Sequence, residues 1–174
     1  MTHIFKRVPS PVGLLTLVAS GGALAAILWE AEAPGRVRLP TPAEQGDDPL
    51  LVEAARQLKG YFAGERRAFD LPLDARGTLF QQRVWAALLD IPFGETRSYA
   101  QMARAIGAPA ASRAVGAANG RNPLSIVVPC HRVIGAGGAL TGFAGGLAAK
   151  RYLLEHEAAA GVWSLDPPIA RSVR

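Results

Sequence analysis

Two apolar runs of strand length stand near the start of the chain, residues 13–20 and 23–29, with the pair Gly21-Gly22 between them. Glycine takes the positive φ that a two-residue hairpin turn demands, so the runs predict neighbouring antiparallel strands. Residues 1–30 accordingly read as a small antiparallel sheet. Residues 34–49 are rich in proline, glycine and charge, which predicts a surface loop. From Pro49 to Ala63 the period becomes helical, with Leu51, Ala54, Ala55, Leu58 and Phe62 at the spacing of one face. Residues 64–77, with Pro72 and alternating charges, read as a linker into a second unit.

Helix signals dominate beyond residue 77. Thr78-Leu79-Phe80-Gln81 fits a capping box, in which Thr78 accepts from the third residue's N–H and Gln81 reaches back. A helix over 79–89 follows, and Phe80, Val84, Leu88 and Ile91 continue its periodicity. Ser98-Tyr99-Ala100-Gln101 repeats the box and opens a helix with Met102, Ala103 and Ile106 inward, which Gly107 stops. Pro109 suits the first turn of another helix, reaching about Ala118, because its missing N–H has no helical partner there. Two short helices joined by Gly107-Ala108 form a helix-turn-helix candidate.

The second of these helices is unusually bare. Ala110, Ala111, Ser112, Ala114, Gly116, Ala117 and Ala118 are small, and Arg113 is the sole long polar chain in its body. A major-groove reader needs several Asn, Gln, Arg or Lys side chains to touch base edges, and this helix lacks such a set. A bare helix can instead bring its backbone close to a narrow surface, with one cationic chain entering the base stack or pairing with phosphate. Close crossing by another helix would explain the same small residues.

Composition narrows the class. At 174 residues and 49% hydrophobic, the chain has enough apolar surface for a packed core without disulfide staples. Its amino terminus lacks the basic-then-apolar order of a signal peptide, and no apolar stretch approaches the roughly 18 residues of a membrane span. One cysteine suits a reducing cytoplasm. Residues 1–77 hold nine Lys/Arg against nine Asp/Glu, whereas residues 78–160 hold eight against four, so any polyanion contact is expected in the second unit.

The sole cysteine, Cys130, follows the apolar run Ile126-Val127-Val128 in Pro129-Cys130-His131-Arg132-Val133. A single thiol makes neither an internal disulfide nor a multi-cysteine zinc site, and reactivity is its most informative use. With a free pKa near 8.5 only a few per cent is thiolate at neutral pH, so a base or a positive neighbour is needed. His131 is adjacent, but consecutive side chains on an extended strand point to opposite faces. A turn beginning at Pro129, or one bridging water, has to bring them together. A carboxylate that orients the second imidazole nitrogen completes such a group, and Glu155 and Glu157 are the nearest candidates. If residues 147–157 are helical, Glu157 projects between Leu153 and Leu154 while Glu155 lies on the polar side, which selects Glu157.

Other chemistries find little support. The glycine-rich stretch 135–146 is expected as a flexible wall beside the thiol, but it lacks the GxxxxGK[ST] order of a phosphate loop. His3, His131 and His156 with one cysteine show no metal-ligand spacing.

Taken in order, Phe80-Gln81, Val84-Trp85, Ile91-Pro92, Gly94-Glu95, Ser98-Tyr99, Arg113-Ala114-Val115-Gly116, Asn122-Pro123, Pro129-Cys130-His131-Arg132-Val133 and Leu153-Leu154 closely resemble the O6-alkylguanine-DNA alkyltransferases, also called methylated-DNA--protein-cysteine methyltransferases. The resemblance spans about Thr78 to Glu157, with the amino-terminal half matching loosely. It implies an α/β chain of the α+β kind. The parts are a β-sheet and helix domain with its linker at 1–77, a winged helix-turn-helix-like alkyltransferase domain at 78–160, and a tail at 161–174.

The resemblance further implies that Cys130 attacks the alkyl carbon on O6 of guanine, and less on O4 of thymine, leaving a thioether that nothing hydrolyses. Each molecule would act once, without cofactor, as a monomer on the minor groove of double-stranded DNA. His131 carries over as the base acting through water, Glu157 as its orienting partner and Asn122 as the residue holding the turn. Tyr99 carries over as the residue that helps rotate the target nucleotide's phosphate, with Ser98 beside it in the DNA-binding set. Arg113 matches the finger that fills the vacated stack, and Val133 a backbone contact to the flipped base. Flipping is required on physical grounds, because O6 inside a duplex cannot reach a buried thiol. Phe143 departs from the family pattern, standing where some members carry a tyrosine hydroxyl. The amino-terminal zinc ligands of some members are absent too, so no metal is expected.

Two rivals use the same residues differently. A cysteine hydrolase would employ Cys130, His131 and Glu157 but must turn over, and an alkylated-DNA sensor would bind without transfer.

Overall fold

The structure, a computed structural model, describes residues 1–163 of the 174. Its first half is a four-stranded sheet in the order β3-β2-β1-β4, made of β1 (His3–Val8), β2 (Leu15–Ser20), β3 (Ala23–Leu28) and β4 (Ala43–Glu44). β1 and β3 flank β2 antiparallel, and β4 runs parallel to β1. The β2–β3 hairpin turns through Gly21 and Gly22 at φ +58° and +80°, the left-handed conformation whose twist suits a tight hairpin. β4 falls within the expected surface loop, and two residues are too few for a hydrophobic period to show.

α1 (Pro49–Phe62) packs on the sheet. Asp48 caps it by accepting from the N–H groups of Leu50 and Leu51, and Pro49 fills the first position, where no helical donor is lost. The inward face is Leu51, Ala54, Leu58 and Tyr61, all fully or almost fully buried; Phe62, expected there, is only half-buried at the helix end.

Residues 64–77 are more than a linker. Gln57, buried in α1, exchanges two 2.9 Å hydrogen bonds with the backbone of Asp70. Leu24 donates to the Pro72 carbonyl at 2.8 Å and Asp74 donates to the Leu24 carbonyl at 2.9 Å, so Leu73 bridges the β3 edge. An open edge leaves a row of unpaired N–H and C=O groups, and the connection satisfies part of it. Farther along the same edge, Ile27 donates to the Pro123 carbonyl at 2.8 Å. The sheet is thereby tied to the loop that leads to Cys130.

The second half consists of α2 (Leu79–Leu88), α3 (Tyr99–Ala105), α4 (Ser112–Gly120) and α5 (Leu147–Trp163). Both expected capping boxes form. Gln81 donates to Thr78 Oγ1 at 3.1 Å while Thr78 donates to Gln81 Oε1 at 2.9 Å; the corresponding Ser98 and Gln101 distances are 3.1 and 2.8 Å. Each N-cap contributes about 1 kcal/mol. α4 begins at Ser112, not at Pro109, and ends at Gly120, beyond Ala118. Ala111 donates to the Ala108 carbonyl, which places Pro109 second in a tight turn, where its fixed φ fits as well as at a helix start.

A two-stranded parallel sheet of β5 (Arg97–Ser98) and β6 (Val133–Ile134) was not expected either. It sets Tyr99, first residue of α3, beside the chain that follows Cys130. One hydrophobic cluster runs through both halves, from Leu17 and Ile27 by way of Trp85 and Val115 to Val128 and Leu153. The architecture is thus mixed α/β, a small amino-terminal sheet followed by a helical unit. No helix among the described residues is long and apolar enough to cross a membrane. The tail set apart at 161–174 lies, from residue 164 onward, outside the described residues.

Candidate active site

Residues 126–128 do not run as a strand into Cys130. Val127 donates to the Ser125 carbonyl at 2.9 Å around Ile126, whose φ of +75° places a β-branched residue in the strained form of the γ-turn. Cys130 then donates to the Val128 carbonyl at 2.8 Å across Pro129, at φ −83° and ψ 65°, which is the relaxed inverse form. Arg132 closes onto the Pro129 carbonyl and makes Cys130–Arg132 a single 3₁₀ turn. A turn beginning at Pro129, one of the two routes that the Cys-His adjacency left open, is therefore present.

Side chains from both halves of the fold hold it. Asn122, wholly buried, donates from Nδ2 to the Val128 carbonyl at 2.8 Å and accepts from the Leu124 N–H at 3.0 Å, spanning the loop from its two ends. Asn119 at the end of α4 donates to the Cys130 carbonyl at 3.3 Å. From the amino-terminal half, Trp29 Nε1 donates to Ser125 Oγ at 3.0 Å and Arg36 Nη1 to the Asn122 carbonyl at 2.8 Å.

His131 and Glu157 meet as the helical geometry of α5 requires: His131 Nε2 lies 2.7 Å from Glu157 Oε2, while Glu155 is exposed. The carboxylate has further donors. Arg132 reaches Oε1 through Nε at 2.8 Å and Oε2 through Nη2 at 3.1 Å, Tyr61 donates its hydroxyl to Oε2 at 2.6 Å, and the Gly94 N–H lies 3.4 Å from Oε1. Arg132 also donates to the Ile91 carbonyl and lies over the Phe93 ring. Burial pushes the Glu157 carboxyl up, but its hydrogen bonds to His131 and Arg132 and the Arg132 charge outweigh this and hold it well below the usual carboxylate range. Burial pushes His131 down, and the Arg132 charge works in the same direction against the pull of Glu157. The arrangement is a neutral imidazole beside an Arg132–Glu157 ion pair. Nε2–H then donates to Glu157, which leaves Nδ1 as the basic nitrogen; it is buried and has no hydrogen-bond partner among the described residues.

The thiol is 2% exposed. Burial pushes it above its ordinary pKa, opposed by hydrogen bonding from Asn122, the Arg36 charge, hydrogen bonding from Ser125 and the Lys150 charge. It therefore rests as S–H and must lose a proton in order to react.

The other expected residues lie on β5, β6, α3 and α4. Val133 is buried, and its carbonyl accepts from Lys150 Nζ at 2.7 Å. The Tyr99 hydroxyl is 2.6 Å from Thr141 Oγ1, and Ser98 serves as the α3 cap. Arg113 is exposed on α4, where Ala114 and Ala117 are exposed with it and Val115, Ala118 and Asn119 face inward. Phe143 packs its ring edge-on against Trp29 at 5.3 Å, and a Cβ on Gly145 would come within 2.6 Å of the Trp29 ring. The glycine-rich wall thus lies against the amino-terminal half. No group of three His, Cys, Asp or Glu side chains suited to a metal ion occurs among the described residues.

Sequence reasoning missed Tyr61, Arg36, Lys150 and Thr141, and gave Arg132 no role. Lys150 shares the inward stripe of α5 with Leu153 and Glu157, and Tyr61 lies three residues beyond Leu58 on α1; those spacings were the available signal. Nothing local marks Arg36 or Thr141.

Residues 79–159 match the family model described as 6-O-methylguanine DNA methyltransferase, DNA binding domain, and residues 5–75 the one described as its ribonuclease-like domain. The chain is 54% identical over 159 residues to a methylated-DNA--protein-cysteine methyltransferase of Mycobacterium bovis, covering 90% of this chain and 93% of that one. It is 50% identical over 154 residues to the Mycolicibacterium paratuberculosis protein of the same name, with 88% and 91% covered. A crystal structure of Mycobacterium tuberculosis OGT in complex with DNA superposes with a TM-score of 0.83 at 50% identity, over 90% of this chain and 94% of the other.

Proposed function

The chain belongs to the 6-O-methylguanine DNA methyltransferase family, whose work is DNA repair by alkyl transfer to cysteine, and on that premise we propose that Cys130 is the acceptor and is consumed. The observation that carries this reading is the unpaired nitrogen of His131, the residue next to the buried Cys130: Nδ1 has no hydrogen-bond partner among the described residues, while Nε2 is committed to Glu157. The thiol proton passes through one water to Nδ1, and the Glu157 carboxylate, held in place by Arg132, stabilises the imidazolium that results. Cys130 Sγ then bonds to the alkyl carbon in line as the carbon–O6 bond breaks. The electron pair stays on the base, and the base takes up the proton that restores guanine.

No acyl intermediate arises, and a thioether has no leaving group for water to displace, so one transfer ends the life of the protein. O4-alkylthymine presents the same alkyl–oxygen bond and is the lesser substrate.

Docking follows from α4. Its exposed face is alanine and glycine apart from Arg113, which suits approach to the minor groove and filling of the gap left by a flipped nucleotide. Tyr99 holds the phosphate of that nucleotide, Ser98 sets the helix start beneath it, and the Val133 backbone meets the base. Asn122 keeps the two turns around Cys130 in register. The protein acts as a monomer on double-stranded DNA, and its one free thiol suits a cytoplasmic setting.

Cys130→Ala tests the assignment. The variant is expected to bind O6-methylguanine duplex with unchanged affinity and to transfer nothing. Continued transfer would overturn the nucleophile, and wild-type binding without any transfer would favour a damage sensor.

A further inference from the structure

Thr141 stands at a junction that the chemistry above does not use. Its Oγ1 lies 2.6 Å from the Tyr99 hydroxyl, and its carbonyl is 3.4 Å from the Lys150 ammonium, which also donates to the Val133 carbonyl at 2.7 Å. Lys150 is completely buried on α5. One cation thus spans the β6 strand and the glycine-rich wall and fixes the backbone of Thr141. The Tyr99 ring also lies against α4, where a Cβ on Gly116 would stand 3.6 Å from two ring carbons.

We infer that Thr141 is a positioning residue for Tyr99, its hydroxyl donating to the phenol oxygen so that the Tyr99 proton is free for a DNA phosphate. This rests on the proposed reading of Tyr99 as the phosphate contact. A phenol has one proton and lone pairs to spare, and so has the Thr141 hydroxyl. Of the two orders in which they can bond, only Thr141 to Tyr99 to phosphate leaves every donor used when DNA is present. A donor whose oxygen already accepts a hydrogen bond is also the stronger donor. The 2.6 Å separation is short for two hydroxyls and leaves no room for a water between them. Thr141 acts on duplex DNA alone, because a free base carries no phosphate for Tyr99 to hold.

The test is a double-mutant cycle on transfer rates, read with an O6-methylguanine duplex and with O6-methylguanine as free base. Thr141→Val keeps the shape and removes the hydroxyl; it is expected to slow duplex repair roughly five- to tenfold, the size of one lost hydrogen bond, and to slow reaction with the free base much less. Thr141→Ser is expected to restore the duplex rate, which separates the hydroxyl from the packing of the methyl group. On a Tyr99→Phe background Thr141→Val is expected to add no further loss. Equal losses with Tyr99 present or absent, or equal losses on duplex and free base, would overturn the inference. So would an unchanged duplex rate in Thr141→Val. If Tyr99→Phe alone repairs duplex DNA normally, the reading of Tyr99 itself falls, and this inference with it.

Discussion

The Tyr61 hydroxyl donates to Glu157 Oε2 across 2.6 Å, which joins the helix of the amino-terminal half to the carboxylate that orients His131. Tyr61 is fully buried, and burial with the neighbouring Glu157 charge pushes its phenol far above the ordinary range, so it stays a donor at every working pH. The amino-terminal half is thereby part of what supports the His131–Glu157 pair, although none of its residues was among those expected in the site.

Tyr61→Phe keeps the ring and removes that donor. Losing one hydrogen bond to a buried charge should cost about 2 kcal/mol of stability, read from urea unfolding. Transfer should slow severalfold, since His131 Nε2 loses part of what fixes its partner. Unchanged stability and rate would mean that His131 and Arg132 alone hold Glu157.

Acid should destabilise the fold through the same group. His131 is held below its ordinary pKa by burial and by Arg132, so the unfolded chain takes up a proton near pH 6.5 that the folded chain refuses. Stability is therefore fully present above that pH and falls as pH drops below it, by about 1.4 kcal/mol per unit for one proton. Glu157, also held low, adds a second loss below about pH 4.3, where the unfolded carboxyl protonates and the folded one does not. Unfolding free energies at pH 7.5, 6.0 and 5.0 check this, with His131→Gln expected to remove the slope between 6.5 and 5. A flat wild-type profile over that range would contradict the neutral imidazole.

Arg113→Ala should impair repair of duplex DNA by roughly ten- to a hundredfold, since filling the gap offsets a flipping cost of a few kcal/mol. Reaction with free O6-methylguanine, which has no stack to vacate, should lose much less. Equal losses on both substrates would argue against a finger.

Much of this fold was legible because its signals are local. The boxes at Thr78 and Ser98 each lie within four residues, and both form as the sequence indicates. Glu157 could be chosen over Glu155 because helical geometry alone separates their directions by 160°. Contacts over long sequence separations were not legible. Leu73 beside β3, β5 beside β6, and Tyr61 under Glu157 depend on how elements meet, which no window of the sequence displays. Pro109 was misread for a related reason: its fixed φ fits a tight turn and a helix start equally, and the Ala108–Ala111 hydrogen bond decides between them.

The proposed consumption of the Cys130 thiol is tested most directly by the intact mass of the protein after incubation with excess O6-methylguanine duplex. The expected spectrum shows one methyl group per chain and no more, mapped to Cys130, with repair stopping when every chain carries it. Repair of more lesions than there are chains, or a methyl group on any other residue, would contradict the account.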